Sequence, residues 1–238
     1  MITTKNIEKV KKGLEAITNL IQDTNVRFKD SGIYIKSVDK SQIILVDFCI
    51  SKSCFDTYSI EPNLIGINIL ELQNMISRSF EKDKLSLDLK EQYLEVYLKG
   101  KIERKFKLPY LDLSETALNN PDIKFDAVIN MDAFLLKEIL KDISLVGTTL
   151  TLKINNGNLL IEATGEKGTI NTTVPDVAVK CKKNFSSKFS LGYLKNITKS
   201  IESGTIVTIK LAEDAPLYLE YKIDNDIEVK FYLSGMLI

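Results

Sequence analysis

The sequence predicts an α+β protein of two similar halves, and three observations lead there. Apolar residues alternate with period two in many short runs, such as YLEVYL at 93–98, the pattern of half-buried antiparallel strands. Helical spacing of apolar residues is confined to a few segments. The order helix, strands, helix, strands then repeats over equal lengths, which reads as an internal duplication. ILKDI at 139–143 and YLKNI at 193–197 are a faint echo of it.

Taken in order, Ile7, Val10, Leu14, Ile17 and Ile21 predict a first helix over 5–22. Strands follow over 26–28, 33–38 and 43–50. The stretch DSGIYIKSVDKSQIILVDFCI is a hairpin feeding a buried strand, with an exposed, turn-rich loop at 37–42. A second helix covers 69–80, and strands cover 85–89, 93–98 and 102–108. Pro109, Pro121 and the polar run SETALNNPD mark a linker, giving halves of 1–112 and 126–238 around a connector at 113–125. Beyond it come a strand over 125–131, a helix over 132–145 and the strands TLTLKI, NLLIEA and GTINTTV. GEKGT at 165–169 lacks the spacing of a phosphate loop and reads as a hairpin turn. A broken stretch, PDVAVKCKKNFSSK, precedes a helix over 191–201 and the closing strands TIVTIKL, PLYLEYKI and IEVKFYL.

Composition removes most catalytic readings. The chain has no histidine, so Ser-His-Asp and Cys-His arrangements are excluded along with the commonest general base. Cys49, Cys54 and Cys181 cannot form a zinc site alone and read as reduced, packed thiols. No carboxylate cluster stands out, so we expect neither a metal nor another cofactor, and no enzyme. Apolar runs are strand-sized and the start has no apolar core of a leader, so we expect an intracellular protein without a membrane partner. Thirty-two basic and thirty-two acidic residues balance, so any basic surface must arise by segregation.

The helices show such segregation. Lys137 and Lys141 stand about 200° round from Ile139, with Leu135 and Ile143 assigned to its apolar side. Lys195 and Lys199 repeat the arrangement against Leu194, Ile197 and Ile201. Lys9, Lys11 and Lys12 crowd the side away from Leu14 and Ile17, and Arg78 sits late in the second helix. One such face would be ordinary solvated surface, with Glu138 and Asp142 beside the lysines. Repetition on every helix of a neutral chain points to a basic wall.

Several blocks then carry a resemblance across nearly the whole chain: KKGLEAI, DSGIYIKSVDKSQIILVDF, FDTYSI with IGINI, LPYLDLSE, APLYLEYKI and VKFYL. The sequence resembles the sliding clamps of the proliferating cell nuclear antigen family, archaeal or eukaryotic in type. The resemblance implies two similar domains of the DNA-clamp (processivity) fold, with helices lining a ring interior and antiparallel sheets outside. Three chains would form the ring, and double-stranded DNA would pass through unread, in the nucleoid or the nucleus. Lys11, Lys12, Lys141 and Lys199 fall at hole-lining positions; Lys9, Lys137, Lys195 and Arg78 join them on the helix-face argument. Val38, Gln42, Ile43, Leu45, Leu118, Pro121, Phe125, Pro216, Tyr232 and Leu233 fall where the family accepts a hydrophobic-aromatic plug. DNA polymerase, flap nuclease, DNA ligase and clamp loader are the implied partners. Ile43 and Leu45 also have a plain core-packing reading.

Ring closure is expected between the strand at 102–108, with Ile102, Arg104, Phe106 and Leu108, and the strand of the next copy that holds Thr169, Ile170, Thr172 and Val174. Departures from the family pattern are visible. The start is short enough to truncate the opening strand, and no acidic tail follows Ile238. Thr18, Asn74, Ser77 and Gly192 replace frequent basic residues, which implies a thinner positive lining. Ser234-Gly235 replaces Ala-Pro at the groove's far lip. A checkpoint-type clamp subunit and a peptide-binding adaptor without a DNA role are the competing readings.

Overall fold

A computed structural model describes residues 1–115, 117–174 and 184–236. The chain separates into two compact units. The first comprises Met1–Lys40, Val46–Leu118 and Lys222–Val229; the second comprises Ser41–Leu45, Asn119–Tyr221 and Lys230–Ile238.

The first unit opens with β1 (Ile2–Thr4), α1 (Ile7–Thr18), β2 (Asp23–Lys29) and β3 (Gly32–Val38). Next come β4 (Ile44–Ser51), which begins in the second unit, a 3-10 turn at Lys52–Cys54, β5 (Thr57–Tyr58) and β6 (Asn63–Asn68). Then follow α2 (Ile69–Ile76), β7 (Lys84–Leu89), β8 (Tyr93–Lys99) and β9 (Glu103–Pro109). One sheet runs β5-β1-β7-β8-β9, and another set runs β4-β3-β2-β6. Alternation builds these strands: in β8, Leu94, Val96 and Leu98 are buried while Glu95 and Tyr97 face outward. Asn6 caps α1 by accepting from Lys9 N, and Asn68 caps α2 by accepting from Glu71 N at 2.9 Å. α1 buries Ile7, Val10, Leu14 and Ile17. Gly13 permits that approach, since a Cβ there would lie 2.9 Å from Ile227 Cδ1.

The second unit repeats the plan. It holds β10 (Ala127–Asp132), α3 (Ala133–Ile143), β11 (Thr149–Asn155), β12 (Asn158–Gly165) and β13 (Gly168–Val174). β14 (Phe185–Ser190), α4 (Leu191–Thr198), β15 (Ile206–Leu211) and β16 (Leu217–Ile223) follow, and β17 (Ile227–Leu233) ends in this unit. Strands run β10-β15-β16-β17 in one set and β13-β12-β11-β14 in another. Asp132 caps α3, accepting from Phe134 N at 2.7 Å. The hairpin turn expected at GEKGT joins β12 to β13.

Several expectations are corrected. β1 is present and pairs with both β5 and β7, so the opening strand is intact. β6 and β14 are further strands. In β14 only Phe185, Ser187 and Phe189 face inward, too weak an apolar signal among serines to read as a strand. The helices are shorter at their ends than the periodicity suggests, because terminal turns fray into caps. Cys181 and most of the stretch before β14 lie outside the described residues.

Candidate functional site

The helix cations differ sharply in their surroundings. Lys9 Nζ lies 2.8 Å from Asp226 Oδ2 and 3.1 Å from Asp224 Oδ2. Hydrogen bonds to Asp226 and then Asp224 raise the lysine's pKa; the same bond, with one from Ser53, lowers that of Asp226. Lys11 is 3.5 Å from Glu8, and half-buried Lys12 stands beside it on α1. Arg78 is exposed just beyond α2, and its backbone carbonyl accepts from Arg104 Nη1.

In the second unit Lys137 turns away from solvent. Its ammonium donates to the carbonyls of Lys199, at 3.1 Å, and Ile201, satisfying groups at the end of α4. Burial first, and the nearby Lys141 charge second, lower its pKa. Lys141 is 2.6 Å from Glu138. Lys195 and Lys199 are exposed on α4. The apolar face of α3 is Ala133, Leu136, Ile139, Leu140 and Ile143; Leu135, assigned to it from sequence, is 41% exposed beside Phe134 at 54%.

The residues expected to receive a partner fall in both units. Val38, exposed at the end of β3, and half-buried Leu118 belong to the first. Leu118 ends a segment fixed upstream: Leu111 N donates to Gly66 O at 2.8 Å, Asn25 Nδ2 donates to Ser114 O at 3.2 Å, and Arg27 pairs with Glu115.

The second unit brings together Gln42, Ile43, Leu45, Pro121, Phe125, Pro216, Tyr232 and Leu233. Gln42 adopts a left-handed φ of 56°, which turns the chain into β4. Ile43 is half-buried, and its carbonyl accepts from Ser234 N at 2.9 Å, so the chain after β17 is tied to the start of β4. Met236 N continues this path, donating to Lys188 O of β14 at 2.8 Å. Pro121 is exposed and Pro216 half-buried, whereas Leu45 and Leu233 pack in the core.

Between Phe125 and Tyr232 stands Tyr218, which sequence reasoning passed over. Its ring centroid is 5.8 Å from that of Phe125 and 5.0 Å from that of Tyr232. Lys210 Nζ lies 4.4 Å from the Tyr218 centroid and 3.6 Å from Glu220 Oε1, and the Tyr218 hydroxyl donates to Glu220. The alternation in PLYLEYKI was the available signal: it places Tyr218 and Glu220 on one face, but not which residues meet them there.

Both strands expected at the ring contact are edge strands. β9 pairs only with β8, and β13 only with β12, among the described residues. Ile102 is exposed just before β9, Phe106 is half-buried, and Leu108 is core. Arg104 turns inward, its Nη2 2.7 Å from the buried Asp83 and its guanidinium 4.5 Å from the Phe80 centroid. On β13 Thr169 is exposed, Ile170 and Thr172 are half-buried, and Val174 is core.

Comparison with known proteins accounts for the duplication. Residues 3–119 match the N-terminal domain of proliferating cell nuclear antigen, and residues 119–236 match its C-terminal domain. A DNA polymerase sliding clamp of Methanococcus vannielii is 30% identical over 232 residues, covering 93% of each chain. DNA polymerase sliding clamp 1 of Thermococcus kodakarensis is 29% identical over 224 residues, covering 91% of this chain and 90% of its own. The fold superposes on the antigen's crystal structure from Entamoeba histolytica with a TM-score of 0.89 at 23% identity, covering 99% of this chain and 98% of that one. With both domain profiles matched end to end, and each realised as a compact unit of paired helices and antiparallel sheets, the chain belongs to the proliferating cell nuclear antigen family.

Proposed function

We propose that the chain acts as a sliding clamp, a non-catalytic processivity factor whose copies close into a ring of three around duplex DNA. The observation that carries this reading is the match to both domains of the family along almost the whole chain. A ring holds DNA by topology, so its lining needs only loose, sequence-independent attraction; strong phosphate contacts would slow sliding and base contacts would stop it. A balanced total charge, with several helix lysines already paired to carboxylates, suits that requirement.

Closure by head-to-tail pairing of β9 with β13 of the next copy is supported by the position of both at sheet edges. The surface around Phe125 and Tyr232 is the docking groove for a short hydrophobic peptide of DNA polymerase. Tethering then raises the polymerase's effective concentration at the primer end, without chemistry. Flap nuclease, DNA ligase and clamp loader are assigned to the same groove, and the protein works where the genome lies.

The test is primer extension on a closed circular template with a loader present. The chain should lengthen the products, and Tyr232→Ala or Pro121→Ala should abolish the gain while the trimer persists. Unstimulated extension with the wild-type chain would overturn the reading.

A further inference from the structure

Tyr218 has a position that the groove reading leaves unexplained. Three rings stand in a row in the second unit, from Phe125 before β10, through Tyr218 of β16, to Tyr232 of β17. Both spacings, 5.8 and 5.0 Å, lie in the range of about 4.5–7 Å at which aromatic rings are already in contact. The ring of Tyr218 therefore fills the interval between the other two. It is 5% exposed, whereas Phe125 and Tyr232 are half-buried and present their outer edges.

The ring is also held in place. Lys210 lies directly opposite Tyr218 in the β15–β16 register, and its ammonium sits 4.4 Å from the ring centroid. Glu220, two residues on and on the same face, accepts from the hydroxyl and pairs with Lys210 at 3.6 Å. Swinging the ring aside would break a charge-assisted hydrogen bond and a cation–π contact together. An incoming aromatic side chain cannot enter the interval unless it displaces this assembly.

We infer that Tyr218 sets the depth of the groove and so its specificity. An aliphatic anchor, Leu, Ile or Met, lies across the edges of Phe125 and Tyr232, and an aromatic anchor is excluded from the space between them. The inference rests on the groove being the docking site for partner peptides. Tyr218 acts through the volume its ring occupies; Lys210 and Glu220 position it.

The experiment measures binding of three labelled peptides to the full chain by fluorescence anisotropy. Each is the docking segment of the polymerase that the chain stimulates, with its anchor set to Leu, Phe or Ala. The wild-type chain should bind the Leu peptide about tenfold more tightly than the Phe peptide. Tyr218→Ala should reverse that order, because it opens an apolar, ring-walled cavity that a phenyl group can fill. Tyr218→Phe keeps the ring and should keep the wild-type order. Equal or tighter binding of the Phe peptide by the wild-type chain overturns the inference, as does a Tyr218→Ala variant that weakens both peptides in the same proportion. If Tyr218→Ala does not fold, Tyr218→Leu must shift the ratio in the same direction, and an unchanged ratio is fatal. Failure of every peptide to bind the wild-type chain overturns the groove itself, a result separate from an altered ranking.

Discussion

Lys9 and Asp226 meet at 2.8 Å although 217 residues separate them, tying α1 to the turn before β17 within the first unit. Ser53 Oγ donates to the other carboxylate oxygen at 2.6 Å, so Asp226 receives the 3-10 turn as well. The ammonium at the centre of this contact is a structural cation.

Asp226→Asn is therefore expected to lower stability by about 1 kcal/mol at neutral pH, the scale of a charge-assisted surface pair. Asp226 has a depressed pKa, so its contribution is complete above the unfolded carboxylate value of about 3.9 and is lost as pH falls through the lower folded value. Lys9 has a raised pKa; its share is complete below about 10.4 and is lost only as pH rises through the higher folded value. Thermal melts of wild type and variant should differ across the neutral range and converge in strong acid. A constant difference down to the lowest pH would refute the assignment.

Asp83 and Arg104 form the corresponding knot beside β9. Asp83 is 2% exposed, and its Oδ2 accepts from Arg104 Nη2 at 2.7 Å and from Phe80 N at 2.9 Å. Arg104→Met leaves a buried carboxylate without its cation and should cost about 3–5 kcal/mol. Gly100→Ala should also destabilise, by about 2 kcal/mol, because a Cβ there would lie 1.7 Å from Asp83 Oδ1. Urea unfolding measures both, and an unchanged midpoint in either variant contradicts the packing described.

The edge strands make a prediction about assembly. Ile102 is 56% exposed and Ile170 half-buried at a sheet edge, so neither has a large folding role within one chain. Burial of such a side chain at a contact contributes about 1.5–3 kcal/mol. Ile102→Lys with Ile170→Asp should raise the trimer dissociation constant by roughly a hundredfold or more, with little change in melting temperature. Sedimentation at micromolar concentration reports it; an intact trimer would move the contact elsewhere.

The cations can be ranked by the salt dependence of duplex binding. Removing one lysine–phosphate interaction should reduce the slope of log K against log salt by about 0.9. Lys195→Ala and Lys199→Ala, on the exposed face of α4, should each show that reduction. Lys9→Met should leave the slope alone, since its charge already serves Asp224 and Asp226. A reversed ranking in anisotropy titrations would contradict the distinction.

Much of the fold was legible because its signals are local. Alternation in YLEVYL and IEVKFYL placed β8 and β17, and Ile7, Val10, Leu14 and Ile17 placed α1. β14 escaped because serines occupy most positions between its two buried phenylalanines. Leu135 was assigned to the wrong side of α3, since a short helix whose first turn reads AFLL fits more than one apolar face and only packing selects Leu136. Lysine periodicity located the cations of α1 and α3 but could not show that Lys9 is held by two aspartates far along the chain, or that Lys137 caps the end of α4.

By itself the sequence determined the two-fold repeat, the absence of histidine chemistry and the membership that its ordered blocks announce, because these depend on residue type and spacing. Tertiary structure alone decided which charges are neutralised and which ring fills the interval between Phe125 and Tyr232. Coulombic pairing and ring packing act over a few ångströms of space, and residues drawn from distant segments reach that range only once the strands have paired.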